Sequence, residues 1–501
     1  MMSHLEEVGE MIKKLQEYLW LCPLLVMATL FIITNIPDSD TFFLIKTGEH
    51  IVENGVPHIN PFIIHKNFSI IVQQWLFDVG IFHTYNALGN FGLFLFVLIA
   101  FVCTVFMMYN FLKLFTNNTI ITKFTTFMFG FLIFGYQTAR PSCVSIILFI
   151  TLLYCLEQYH RTKKIKWLFL LPILSLLQVN IHSSMWPLMI VFTVPYFFPY
   201  INLSETFSVK KWFKDNYKVL VFVFSMLLCG LINPYGVDGI LYVIKSYNSA
   251  NSLDIIELMP PKILSINGFV ILATIILLTI WLPKLFEDVF KNKINKHQDF
   301  IRLYGLLGTL LLSIFHIRNM WFLLLWLCPI VIKKIEFLSI KKKKKNKIFT
   351  TIILYTLTVL IICGIIILNN GSYSSLTNSD SRVAPMNAIN YMNEYKKESI
   401  VLFAELNNGA YCEFKGYKVY MDARPELFAK IINNKEDIIS EYIDLKNGNI
   451  DFDKFILKYN FTHMISSNNT LLNAHLRECN DFKLVVEGNG YCLFESITYK
   501  N

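Results

Sequence analysis

The sequence predicts an all-α polytopic membrane protein with a small α/β domain at its C-terminal end. Of its 501 residues, 54% are hydrophobic, and these residues are grouped in long runs. Positive charge is concentrated before the last runs: residues 1–348 contain 31 Lys and Arg against 19 Asp and Glu, whereas residues 349–501 contain 14 against 17. Basic loops flank membrane spans as a rule, so the charge requires no nucleic-acid partner.

About eleven runs reach the roughly 17 to 25 residues that a membrane-spanning helix needs. They lie near residues 18–36, 89–112, 121–137, 141–158, 167–182, 184–200, 217–232, 266–283, 301–316, 318–332 and 348–368. The segment 71–85 is also apolar, but polar residues interrupt it. This pattern predicts an interfacial helix or the start of the second span rather than a separate crossing.

The distribution of Lys and Arg predicts the orientation. If the N-terminus is cytoplasmic, 25 basic residues up to Lys347 lie inside and 6 lie outside. One miscounted span would invert every later loop and remove this asymmetry. We therefore expect a multi-pass protein of the cell membrane with a retained first span, a cytoplasmic N-terminus and an external C-terminus.

The predicted organisation is a transmembrane domain over residues 1–370, with a large first external loop at 37–88, and an extracytoplasmic α/β domain over 371–501. Residues 371–380 have the composition of a linker. Beyond it, helical patterns at 386–397, 435–445 and 452–459 alternate with strand-like runs at 400–403, 419–421 and 484–486. This region contains three cysteines, Cys412, Cys479 and Cys492. They would allow one disulfide, and the sequence does not determine which two would pair.

Polar side chains that interrupt apolar sequence gather on the predicted external side. Charge at the mouth of a membrane protein is costly and often functional. Two of these residues, Arg140 and Arg318, oppose the positive-inside trend, which favours an anionic partner outside. The set is Asp38, Asp40, His50, His58, Asp78, Arg140, Asn180, His182, Asn233, Glu257, His316 and Arg318.

Several short motifs occur one after another along the chain. They are Asp38-Ser39-Asp40, Thr47-Gly48-Glu49, residues 55–62, Gln74-Trp75-Leu76, Arg140-Pro141, Asn180-Ile181-His182, Asn233-Pro234-Tyr235-Gly236 and residues 420–424. Taken in order, these motifs resemble the GT-C superfamily, integral-membrane glycosyltransferases that take a sugar from a polyprenyl-phosphate carrier on the external face, and more closely a group of bacterial membrane proteins of that type. Two departures stand out: Gln73-Gln74 replaces His-Glu before the tryptophan, and Ser183 replaces a glycine.

The resemblance implies that a first-loop acid, Asp38 or Asp40, is the base. Glycosyl transfer with inversion needs a carboxylate to take the proton of the attacking hydroxyl. The departing lipid phosphate needs cations, for which Arg140, Arg318 or Lys245 are candidates. The remaining candidates for substrate binding are His50, His58, Gln74, Asp78, Asn180, His182, Glu257 and His316.

A divalent cation is an open question. Asp38, Asp40, His58 and Glu257 are oxygen-rich candidate ligands that would suit Mg²⁺ or Mn²⁺, although their spacing gives no metal motif. The expected partners are membrane lipid, the polyprenyl-phosphate sugar and a glycan, lipid or protein acceptor of the cell envelope.

Structural alternatives stand beside these roles. The Asp38-Ser39-Asp40 acids are also typical of a helix cap, and Asp422 with Arg424 is predicted to be an ion pair of the tail. At the level of the whole protein, a transporter or lipid flippase and a noncatalytic envelope-assembly protein are the other hypotheses. A transporter predicts charge near mid-span and paired halves, which the sequence lacks.

Overall fold

The computed structural model describes residues 19–35, 37–198, 208–249, 259–290, 296–341, 385–488 and 490–499. The predicted span at 348–368, the linker at 371–380 and Glu257 lie outside the described residues.

The described residues up to Lys341 form mainly helices. The apolar composition of these segments favours helices, since a bilayer leaves no other way to satisfy each backbone group within one segment. The helices are α1 (Cys22–Asn35), α2 (Ser39–Asn54), α3 (Trp75–Leu112), α4 (Thr119–Ile133), α5 (Ser142–Thr162), α6 (Leu170–Ile181), α7 (Trp186–Val191), α8 (Val209–Cys229), α9 (Val237–Ser249), α10 (Ile266–Phe290), α11 (Lys296–Phe315) and α12 (Met320–Lys341).

Among the described residues, four helical segments are long and apolar enough to cross a bilayer: Trp75–Leu112, Thr119–Tyr136, Ser142–Thr162 and Ile266–Pro283. Two shorter apolar segments, Leu19–Ile33 and Ile165–Ile181, accompany them. These helices identify a membrane protein, but the predicted total of eleven spans is not confirmed.

The described part of the run predicted as a span at 184–200 is not one continuous helix. This stretch forms three short helical pieces, Ser183–Met185, Trp186–Val191 and Val194–Tyr196. Proline lies in the first turn of the last two pieces, at Pro187 and Pro195. Proline cannot donate the backbone hydrogen bond that a continuing helix needs, so each one starts a new piece.

Helix α3 is bent near its first third. Gly89 has φ 59° and ψ −145°, a backbone conformation open to glycine and strained for other residues. The part before the bend carries Asp78 and His83, and the part after it is mainly apolar and has no charged residue. Most of the apolar segment at 71–85 therefore forms the beginning of α3. This agrees with the second of the two predicted alternatives, the start of a span.

The C-terminal region contains a four-stranded sheet with the order β1-β2-β4-β3. Strand β1 pairs in parallel with β2, and the remaining pairs are antiparallel. This confirms a mostly helical protein with a small C-terminal sheet. The strands are β1 (Leu402–Ala404), β2 (His463–Ser467), β3 (Phe482–Glu487) and β4 (Tyr491–Ser496), and the helices are α13 (Met386–Met392), α14 (Leu406–Phe414), α15 (Lys430–Asn433), α16 (Ile438–Asn447), α17 (Phe452–Tyr459) and α18 (Leu471–Glu478).

The loop before α3 and the C-terminal region share one hydrophobic core. Phe42 and Phe68 are buried in the same cluster as Leu402 and Tyr420. The backbone joins the two as well, because Ile64 N–H donates to the carbonyl of Val419 at 3.0 Å and Val419 N–H donates to Phe62 at 3.1 Å. We call residues 37–74 and 385–499 together the loop–tail layer. The division between a loop of the first domain and a separate tail domain stays a prediction, but the two pack as one body here.

Candidate functional site

The first candidate acids lie at the start of α2. Asp38 is the N-cap: its Oδ1 accepts hydrogen bonds from Thr41 N–H at 2.9 Å and from Thr41 Oγ1 at 2.6 Å. Asp40 lies in the first turn. Carboxylates are favourable here because they meet unsatisfied N–H groups and the positive end of the helix dipole. The predicted capping role of the Asp-Ser-Asp motif is present in the structure.

Arg140 joins both acids although it is 102 residues from Asp38 in the chain. Its Nε lies 2.7 Å from Asp38 Oδ2, and its Nη1 lies 2.9 Å from Asp40 Oδ2. Arg140 follows α4 in the turn that leads into α5. The side chains of Arg140, Asp38 and Asp40 are 27%, 21% and 28% exposed, so this cluster is open to solvent or to a bound molecule. We call these three residues the Arg140 cluster.

Asn180 connects three helices near this end of the molecule. Its Oδ1 accepts a hydrogen bond from Trp75 Nε1 at 2.7 Å, and its Nδ2 donates to the carbonyls of Leu176 and Ile232. Gln74 precedes α3 at the N-cap position, without a side-chain capping bond. These contacts place Asn180 among the residues that hold the helices together.

The two histidine turns have different contacts. His182 follows α6, and its Nδ1 lies 3.0 Å from Ser145 Oγ on α5. His316 directly follows α11, and the next residue, Ile317, donates its N–H to the carbonyl of Met259. Both histidines are half-buried.

Arg318 lies within electrostatic range of the tail. Burial raises the pKa of Glu426; hydrogen bonding to the backbone and the positive charges of Arg424 and Arg318 oppose this rise, while Asp422 adds to it. The predicted cation at 318 is thereby near the acids of the tail, a relation that the sequence alone does not indicate.

The other predicted residues are spread over the loop and α9. His50 on α2 packs edge-on against Phe62, and burial lowers its pKa, with Glu53 opposing and Lys46 adding to the effect. His58 is exposed, with its ring 5.2 Å from that of Tyr235. Lys245 is exposed on α9.

Asp78 is completely buried at the contact between α2 and α3. Among the described residues, neither of its carboxylate oxygens has a hydrogen-bond partner. The helices approach so closely that a Cβ on Gly48 would lie 2.0 Å from the backbone oxygen of Asp78. The glycine of the Thr47-Gly48-Glu49 motif therefore permits the packing of α2 on α3.

A second arginine cluster lies inside the loop–tail layer. Arg424 Nη2 lies 2.6 Å from Asp422 Oδ2 and 2.9 Å from both carboxylate oxygens of Glu413. Its Nη1 donates to Thr47 Oγ1 on α2 at 3.2 Å. We call Arg424, Asp422 and Glu413 the Arg424 cluster. The Asp422–Arg424 pair follows the sequence prediction, but Glu413 and Thr47 were not predicted as its partners.

Burial dominates the electrostatics of this cluster. Burial alone would lower the pKa of Arg424. The negative charges of Asp422 and Glu413, with a smaller contribution from Asp78, outweigh burial and raise this pKa above its ordinary value. Burial also raises the pKa of Glu413 well above its ordinary value; Arg424 opposes this rise, and Asp422 adds to it. The rings of Phe43 and Phe62 lie 4.9 and 5.4 Å from the guanidinium carbon, which excludes water from the cluster.

Asp38, Asp40 and His58, the described members of the predicted ligand set, do not meet as a group of three metal-ligating side chains. The Arg140 guanidinium contacts Asp38 and Asp40 at the oxygens that a cation would use, so a divalent ion would have to displace it. Within the described ranges, one group of three metal-ligating side chains meets, and it lies in the tail at Asp453, His475 and Cys479. The Mg²⁺ or Mn²⁺ hypothesis stays a prediction.

No family model matches the sequence, and no curated protein matches it. The structure is similar to the crystal structure of the Archaeoglobus fulgidus oligosaccharyltransferase in its apo form, with a TM-score of 0.52. The match covers 90% of this chain and 70% of that protein, at 10% sequence identity. At this identity the likeness concerns the fold: the chain shares the fold of that oligosaccharyltransferase.

Proposed function

We propose that this protein is a membrane glycosyltransferase of the GT-C type, which transfers a sugar from a polyprenyl-phosphate carrier to a cell-envelope acceptor on the external face. The observation that carries the proposal is the Arg140 cluster, a partly exposed guanidinium that holds two carboxylates. The similarity in fold to an oligosaccharyltransferase supports the same reaction class.

The base is assigned to Asp40. Asp38 accepts the capping bonds of α2 with one oxygen and the Arg140 Nε–H with the other, so both of its oxygens serve the structure. In the proposed reaction, the Asp40 carboxylate takes the proton from the acceptor hydroxyl while that oxygen attacks the anomeric carbon. The bond from the anomeric carbon to the phosphate oxygen breaks, and the lipid phosphate leaves with its negative charge.

Arg140 is assigned a double role. Guanidinium groups bind carboxylates and phosphates in the same bidentate manner. The donor phosphate would therefore compete with the acids for Arg140, and its arrival would release Asp40 towards the acceptor hydroxyl. Arg318 and Lys245 are proposed as further cations for the leaving phosphate, and His50, His182 and His316 as ligands for phosphate or sugar hydroxyls.

The proposed topology is that predicted from charge, with about eleven spans, a cytoplasmic N-terminus and an external tail. In this arrangement the loop–tail layer lies on the outer side, and the Arg140 cluster lies at the membrane mouth, where Asp38 and Asp40 of that layer meet Arg140 before α5. The proposed acceptor is a glycan, lipid or protein of the envelope.

The test is complementation of a deletion strain of the native host with Asp40→Asn, Asp38→Asn and the double variant. Incorporation of sugar into envelope glycan is measured at matched protein level. Loss of a general base lowers the rate by about 10²-fold to 10⁴-fold, so the Asp40→Asn strain is expected to lack the product. Asp451→Asn is the matched control, because Asp451 is an exposed helix cap of the tail and asparagine caps as well. Unchanged glycan in both single variants and in the double variant would exclude the proposal and leave the transport or assembly hypotheses.

A further inference from the structure

A cluster on the tail surface lies apart from the proposed glycosyl-transfer residues. Asp453 lies in the first turn of α17, His475 lies on α18, and Cys479 directly follows α18. One ligand atom from each residue lies within 4.8 Å of the other two. The cluster thus combines a carboxylate, an imidazole and a thiol at one point.

The local sequence accounts for this arrangement. His475 and Cys479 are four residues apart, so they lie on the same face of one helical turn, and the Cys479 N–H still donates to the His475 carbonyl at 2.9 Å. Asp453 reaches this face from the neighbouring helix, with its Oδ1 2.9 Å from His475 Nε2. The ring of Phe452 packs 5.1 Å from the imidazole and supports its position.

The chemistry of the three groups distinguishes among cations. Thiolate, imidazole and carboxylate are the ligand types of Zn²⁺ and similar transition metals, whereas Mg²⁺ and Ca²⁺ take oxygen ligands. Around a tetrahedral zinc, ligand atoms of these types lie about 3.3 to 3.6 Å apart. The 2.9 Å separation of Asp453 Oδ1 and His475 Nε2 must lengthen slightly, and the distances from these atoms to the Cys479 sulfur, at most 4.8 Å, must reach this range. The Asp453 side chain, 68% exposed, is able to rotate for this adjustment.

The Cys479 thiol is available for this role. It is a free cysteine, as are Cys412 and Cys492, the other two candidates for a disulfide in the tail. Cys479 is half-buried at the edge of the sheet-and-helix tail, and not enclosed in its core like the other two. A metal ion could therefore reach it from solvent.

We propose that Asp453, His475 and Cys479 bind a zinc-type transition-metal ion, with the fourth position open to water. On binding, the Cys479 S–H bond breaks, a sulfur–metal bond forms, and the proton is released to solvent. An exposed His475–Asp453 ion pair without metal is the alternative, and it gives Cys479 no role. The site goes beyond the proposed glycosyl transfer and does not depend on it.

The experiment measures how fast iodoacetamide alkylates each cysteine of the full-length protein in detergent, after reduction and removal of metals, with and without added zinc chloride. Peptide mapping by mass spectrometry reports each thiol separately. At a zinc concentration about ten times the dissociation constant, about one site in ten stays unbound, so alkylation of Cys479 should slow about tenfold. Cys22, exposed at the first residue of α1, serves as the internal control and should react at an unchanged rate.

Two variants decide whether the cluster, and not the thiol alone, holds the ion. His475→Gln and Asp453→Asn should each require about ten-fold to 100-fold more zinc for the same protection. Asp451→Asn, a change two residues from Asp453 at the N-cap of the same helix, should behave like the unaltered protein. An alkylation rate of Cys479 that zinc does not change, or protection that either ligand variant leaves unchanged, would overturn the proposal.

Discussion

Two arginines of this protein each hold two carboxylates, but in different surroundings. In the Arg140 cluster all three side chains are between a fifth and three tenths exposed, whereas in the Arg424 cluster the arginine is 8% exposed and both acids are fully buried. Exposed ion pairs contribute about 0 to 1 kcal/mol to stability, while removal of one partner from a buried pair costs about 3 to 5 kcal/mol. The same chemical group therefore stabilises the fold in one place, and we propose that it binds a ligand in the other.

Helix α2 links the two clusters. Its first turn contributes Asp40 to the Arg140 cluster, and Thr47, two turns later, accepts a hydrogen bond from Arg424. The Arg424 cluster thus connects α2 to the tail, and the Arg140 cluster lies at the N-terminal end of the same helix. A change in the tail is expected to move the candidate base only by disturbing α2.

The largest effect on stability is expected from Arg424→Ala. This variant leaves Asp422 and Glu413 buried without their cation, so the free energy of unfolding should fall by about 3 to 5 kcal/mol. Thermal unfolding of the full chain in detergent measures the change. Arg477→Ala is the matched control, because Arg477 pairs with Glu487 at the surface, and its loss should cost less than about 1 kcal/mol. Equal effects of the two variants would remove the distinction between the clusters.

The next effect concerns the contact that positions α2. In Gly48→Ala the new Cβ would lie 2.0 Å from the Asp78 backbone oxygen, so α2 and α3 must separate, at about 1 to 3 kcal/mol of stability. Gly80→Ala, on the same α3, has no atom within 4 Å of its added Cβ and should be neutral or stabilising by up to about 1 kcal/mol. Opposite signs in the two unfolding measurements are the expected result, and a harmless Gly48→Ala would contradict the close packing.

The stability of the protein at different pH values tests Glu413, a buried acid of the Arg424 cluster. Because burial raises the folded-state pKa of Glu413 above its ordinary value of 4.5, the folded protein binds this proton more tightly than the unfolded chain. The stability that the Glu413 proton contributes is therefore fully present below pH 4.5 and is lost as the pH rises through the folded-state pKa. Glu413→Gln cannot ionise, so its stability relative to the native sequence should increase with pH, by at most about 1.4 kcal/mol per pH unit.

The measurement is chemical unfolding of both proteins from acid to neutral pH. Glu398→Gln, which changes an exposed glutamate of the same tail, gives the baseline. A difference between Glu413→Gln and the native sequence that stays constant over the whole range would contradict the raised pKa.

The smallest effect is expected at the cap of α2. Asp38→Ala removes the acceptor of the Thr41 N–H and should lower the free energy of unfolding by about 1 kcal/mol, whereas Asp38→Asn retains a capping oxygen and should cost less. Circular dichroism during thermal unfolding compares the two. If alanine and asparagine behave alike, the cap contributes nothing beyond the ion pair with Arg140.

Local features of the fold were predictable from the sequence. The cap at Asp38, the Asp422–Arg424 pair two residues apart and the apolar helices all depend on residues close together in the chain. The two prolines, Pro187 and Pro195, could also have indicated the interruption of the helix. The prediction followed the apolar composition of residues 184–200 instead.

Contacts between distant segments were not predictable. Nothing in the sequence near Arg140 indicates Asp38, and nothing near Arg424 indicates Thr47. The run at 419–421 has strand character, but Val419 pairs as an isolated bridge with Ile63 of the first loop and with Leu402. The residues that pair with Val419 lie in other segments, so the local strand pattern could not identify them. The shared core of the loop–tail layer was missed for the same reason.

The most direct test of the central claim compares Asp40→Asn with Arg424→Ala on the same purified preparations. Sugar transfer from a polyprenyl-phosphate donor and the free energy of unfolding are measured for each. The account predicts that Asp40→Asn lowers transfer by about 10²-fold or more while stability changes by less than about 1 kcal/mol, and that Arg424→Ala lowers stability by about 3 to 5 kcal/mol. A stable Asp40→Asn protein with unchanged transfer would contradict the assignment of the exposed cluster to catalysis.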